Sequence, residues 1–67
     1  MPTIHVQSEI SHIRGATAPG PEREHALREL VRRLQQAVSE EPDARAQYRL
    51  SVLGRHVERL AKDEGGQ

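Results

Sequence analysis

Leu27, Leu30, Val31, Leu34, Ala37 and Val38 follow one another at intervals of three and four, the spacing that collects apolar side chains into one stripe of an amphipathic helix. Pro21 stands where a first helical residue is tolerated without an amide proton, and Glu22 and Glu24 bring negative charge to the positive end of the helix dipole. Pro42 disfavours helical geometry at the residue before it, so this helix is expected over about residues 21–41. Glu24 with Arg28, and Glu29 with Arg33, form favourably oriented pairs four apart on its flanks, each expected to add about 0.3 kcal/mol.

A second stripe begins after Asp43, a residue suited to capping a helix: Ala46, Leu50, Leu53, Val57 and Leu60 alternate spacings of four and three, a seam for packing along another helix. Gly65 and Gly66 supply the stop, and the helix is expected over about residues 43–63. The stretch Ala46, Tyr48, Leu50, Val52 also alternates with Gln47, Arg49 and Ser51 as a half-buried strand would, with Gly54 ending it. The helix is the preferred reading. Arg55 to Glu64 is rich in good helix formers, and the heptad spacing runs across Gly54 at a cost of about 1 kcal/mol relative to Ala.

The amino-terminal pattern is different. Ile4, Val6 and Ile10 share one side of an extended backbone, interrupted by polar Ser8, which predicts a short edge strand or an ordered arm. Ser11 to Gly20 loses periodicity and contains Gly15, Pro19 and Gly20, the signature of a linker. The expected architecture is therefore mainly α: an extended arm and linker over residues 1–20, then a single helical domain over 21–67 built as a two-helix antiparallel hairpin.

Size turns that hairpin into an argument about function. A chain of 67 residues buries only about 60% of the surface its unfolded form exposes. Cysteine is absent, so disulfides and thiolate zinc sites are excluded, and a reducing, cytoplasmic setting is expected. Tyr48 is the only aromatic residue, leaving Leu, Val, Ile and Ala to form the core. Two stripes of such residues make a thin core, and association is the remaining support for a small scaffold. The expected partner is another protein chain, either a second copy completing a four-helix bundle or a larger protein whose groove receives the hairpin. The residues expected to carry that contact are Leu27, Leu30, Val31, Leu34, Val38, Leu50, Leu53, Val57 and Leu60, with Tyr48.

Charge narrows the partner classes. Ten basic residues balance ten acidic ones, which argues against generic polyanion binding, because that affinity needs excess Lys and Arg to neutralise phosphates. No apolar run approaches the roughly 18 residues of a membrane span, and Met1 to Ile10 lacks the apolar stretch of a signal peptide. His5, His12, His25 and His56 fall at no recognised ligand spacing, so neither metal nor cofactor is expected. On a helical wheel of the second helix, Arg45, Arg49, His56 and Arg59 share a face with Val52. That face reads either as an ordinary solvated surface or as a docking strip for an acidic partner or nucleic acid. Tyr48 falls outside the seam, either as an interface anchor or packed against the amino-terminal arm.

Two resemblances add to this reading. The opening Met-Pro-Thr-Ile-His-Val resembles the start of 4-oxalocrotonate tautomerase family proteins, and an amphipathic helix follows it as in that family. The resemblance implies a β-α-β chain, with the second strand at Tyr48 to Leu53, and tautomerase activity. It implies further that Pro2, once Met1 is removed, is the general base and that Arg14 or Arg49 holds a dicarboxylate-like substrate. An acylated Pro2 nitrogen would lack the basic lone pair this chemistry needs. In size, hairpin layout and the stretch Asp43-Ala44 to Gln47-Tyr48, the chain is also similar to small co-chaperones of type III secretion needle subunits. That likeness implies a hairpin that holds another chain.

Overall fold

The computed structural model describes residues 5–65, which form three helices: α1 (Val6–Ala16), α2 (Pro21–Glu40) and α3 (Ala44–Gly65). The mainly helical expectation holds. No strand occurs among the described residues, so the β-α-β arrangement is not what they form; residues 46–53 lie wholly within α3.

The extended arm is the main correction. Val6, Ile10 and Ile13 are spaced by four and three, and as a helix they turn together onto the core, where all are buried. An extended backbone would have put Ser8 on the same side as Val6 and Ile10; the helix leaves Ser8 exposed instead. An isolated helix of 11 residues is marginal in water, so packing rather than propensity holds α1.

α2 starts at Pro21, as its sequence predicts, after Gly20, whose φ of 110° lies where a side chain is strained. It ends at Glu40, and the Glu41–Pro42–Asp43 turn leads into α3. Asp43 caps α3 as expected, its carboxylate accepting the Ala46 N–H at 3.1 Å. Gln47 secures the other side of the turn by donating its amide to the Glu41 carbonyl at 2.7 Å. α2 and α3 are thus antiparallel, with Gln47 beside the end of α2 and Glu64 beside its start.

α1 runs antiparallel to α2 along one flank of this hairpin. Arg33 reaches Glu9 across the α1–α2 boundary at 2.6 Å, while Glu29 pairs with Arg32 at 3.3 Å rather than with Arg33. The expected i,i+4 pair fails there because Arg33 lies on the flank α1 occupies; Glu24–Arg28 forms as expected, at 2.8 Å. At the other end Arg23 gathers all three helices. Its guanidinium donates to the Arg14 and Thr17 carbonyls, both at 2.9 Å, satisfying carbonyls at the α1 terminus, and lies 3.9 Å from Glu64 of α3. Glu64 in turn accepts the Gly20 N–H at 3.0 Å.

The core joins Val6, Ile10 and Ile13 to Leu27, Leu30, Val31 and Leu34 of α2 and Val57 and Ala61 of α3. Gly54 sits in mid-helix with ordinary backbone geometry, and a Cβ added there would meet only the Leu34 Cβ, at 3.9 Å. Gly54→Ala is therefore expected to stabilise the fold by about 1 kcal/mol, the difference in helix propensity. In a domain this small that is a rise of about 4–8 °C in melting temperature by circular dichroism. An unchanged or lowered value would mean that α3 is not a continuous helix at this point.

Candidate docking face

The structure divides the residues expected to meet a partner into two groups. Leu27, Leu30, Val31, Leu34 and Val57 are buried within the chain's own core. Val38, Leu50, Leu53 and Leu60 are half-buried. The third surface that two helical stripes require is supplied from within, by α1.

Tyr48 is left on the outside. It is 73% exposed, and Val52, one turn further on, is 43% exposed; these are the large exposed hydrophobic residues among those described. Arg45, Tyr48, Arg49 and Val52 occupy positions i, i+3, i+4 and i+7 of α3 and, with Ala44, line a shallow, mainly apolar depression. The helix-packing logic that turns Ala46, Leu50, Leu53 and Val57 inward turns this set outward. Tyr48 is therefore not covered by α1.

The ion pairs of the molecule are unevenly distributed. On α2, Arg23, Arg28, Arg32 and Arg33 each lie within 4 Å of a carboxylate, of Glu64, Glu24, Glu29 and Glu9 respectively. On α3, Arg45, Arg49, Arg55 and Arg59 have no such partner among the described residues. The sequence explains the difference: residues 44–57 contain Arg45, Arg49, Arg55 and His56 and not one Asp or Glu. A chain with zero formal charge overall thus carries a local cationic face around its exposed tyrosine.

A second concavity lies between α2 and α3, about 440 Å³ in volume, lined by apolar side chains that include Val31, Leu34 and Leu50 and by Ser51, Arg55 and Glu58 of α3. Tyr48, Ser51 and Arg55 are spaced at i, i+3 and i+7, so this groove and the tyrosine strip adjoin along α3.

Other sequence candidates are dispersed. His5, His12, His25 and His56 are all exposed, and no three His, Asp or Glu side chains converge on a metal-sized space among the described residues. Arg14 and Arg49 lie exposed on different helices, α1 and α3, and Pro2 lies outside the described residues. No described helix is long and apolar enough to cross a membrane. Sequence reasoning missed Ile13 and Arg23. The interval from Ile10 to Ile13 was a usable signal for the first; Arg23 had none, because its role depends on where α1 ends. Searches against protein-family models, curated proteins and solved structures return no match to this chain.

Proposed function

We propose that this chain is a non-enzymatic protein-binding module that docks on a partner through the outer face of α3. The observation that carries the reading is the exposure of Tyr48 and Val52 together on one helical face, where the other large apolar side chains among the described residues are at least partly buried. An exposed Tyr beside Arg is the composition of an interface anchor: Tyr buries much area for little lost rotamer freedom, and Arg adds directional hydrogen bonds. The three-helix core is the rigid support that such a face needs, since a side chain on a packed helix is presented in one geometry.

Binding and folding are separable on this face. Tyr48→Ser combined with Val52→Ser should leave thermal stability nearly unchanged, because exposed positions away from caps and core contribute within about 0.5 kcal/mol. Affinity capture from cell extract with the native chain and with this double variant tests the reading. Proteins retained by the native chain and lost by the variant support it when, once purified, they also perturb amide resonances of residues 44–59 of the native chain. Identical captured sets from two equally stable chains overturn it.

A further inference from the structure

The chemistry of the α3 face specifies its partner more narrowly. We infer that the face binds an acidic amphipathic segment of another protein, one that sets an aliphatic side chain against Tyr48 and Val52 and carboxylates against Arg45 and Arg49. This rests on the docking reading above and adds the partner's chemistry to it. Arg45 and Arg49 are four residues apart, about 6 Å along the helix axis. Carboxylates at i and i+4 of a helix laid alongside have the same rise, so both guanidinium groups can be engaged at once. The groups they flank are apolar, so a ligand with charge alone would leave Tyr48 and Val52 in water.

Charge complementarity also decides against a symmetric second copy. Antiparallel pairing of α3 with its own duplicate, centred between Tyr48 and Val52, brings Arg45 of each chain level with Arg55 and His56 of the other. No carboxylate lies within residues 44–57; the nearest are Asp43 and Glu58 at the ends of this stretch. Parallel pairing sets each Arg beside its own counterpart. Cationic side chains are brought together in either case, and like charges repel. Nucleic acid fits less well than an acidic peptide: a zero formal charge supplies no field beyond this face, and the depression between the arginines is apolar rather than open to a phosphate backbone.

The test uses the isotope-labelled full-length chain and four probes. The first is a 20-residue amphipathic helical peptide with a leucine stripe flanked by Glu at i,i+4. The second has the same composition with the Glu residues moved to the opposite face, the third carries Lys in place of Glu, and the fourth is a single-stranded oligonucleotide. The first peptide is expected to perturb amide resonances of residues 44–59 and to bind at least tenfold more tightly than the other probes. Arg45→Glu with Arg49→Glu should weaken it tenfold or more and transfer preference to the Lys peptide. If the Lys or rearranged peptide binds this face as well as the first, the acidic-partner inference is overturned while the docking face survives. If no peptide perturbs residues 44–59, the docking reading itself fails along with it. Preference for the oligonucleotide, or resonance changes showing self-association through α3, overturns the inference in favour of those occupants.

Discussion

Removing α1 is expected to convert a cooperatively folding chain into one whose helicity depends on concentration. A variant beginning at Ala18 lacks Val6, Ile10 and Ile13, which are 5%, 5% and 9% exposed in the intact chain. Burial of aliphatic side chains of this size is worth about 1.5–3 kcal/mol each. The whole stability of a domain this small is of the same order, roughly 0.05–0.15 kcal/mol per residue. Losing three such contacts therefore removes most or all of the margin. Arg23 would also lose the α1 carbonyls it now satisfies. What remains is the hairpin alone, with the part of its core that α1 covered newly accessible, and a second copy can cover it by mass action. Circular dichroism from micromolar to millimolar concentration, with sedimentation equilibrium alongside, should show little helix when dilute and dimers or larger species when concentrated. A truncated chain that is monomeric and melts as cooperatively as the intact one would mean that α1 contributes nothing essential to the core.

That experiment addresses the point at which the amino-acid sequence misleads. The stripes of α2 and α3 are legible because each is long: Leu27 to Val38 and Ala46 to Leu60 give several repeats of the helical interval, and Pro21, Pro42 and Asp43 punctuate them. α1 has only Val6, Ile10 and Ile13, and Ile4 and Val6 ahead of them fit an alternating pattern equally well. The deciding residue is Ile13, which falls inside a stretch rich in small and polar residues that reads as linker. Once it is counted, the need for a third apolar surface is met within the chain. The pressure toward association read from the thin hairpin is correspondingly reduced.

The exposed cationic face of α3 is legible in a different way. The cationic strip on α3 follows from a helical wheel once α3 is accepted as a helix, and Val52 interrupts it there. What the wheel could not give is which other surfaces would cover Tyr48. That depends on where α1 lies, and α1 packs along α2, leaving the tyrosine open. Ion pairing was likewise beyond the linear pattern: Glu29 and Arg33 are well spaced for each other, yet Arg33 turns to Glu9, a residue 24 positions away.

Leu34→Ala is expected to cost about 3 kcal/mol, the middle of the range for leucine truncation in a packed core. The side chain is 0% exposed and stands where α2 meets α3 beside Gly54, so its removal leaves a hole between two helices already held close. Adjacent residues cannot readily fill it. Gly54 has no side chain, and Val31 and Val38 on the same stripe are short and β-branched, with little rotamer freedom to swing inward. In a domain whose total stability is a few kcal/mol, such a loss should bring the urea midpoint close to zero denaturant while the slope stays unchanged. Tyr48→Ala provides the internal comparison. It removes more atoms than Leu34→Ala, but from a side chain that is 73% exposed, and should shift the midpoint hardly at all. Leu30→Asp, at a position 1% exposed, should go further and prevent folding, because it places a charge without a partner inside the core. If Leu34→Ala costs less than about 1 kcal/mol, the α2–α3 interface is looser than close packing implies. The rigid presentation of Arg45, Tyr48, Arg49 and Val52 on α3 would then lose its physical basis.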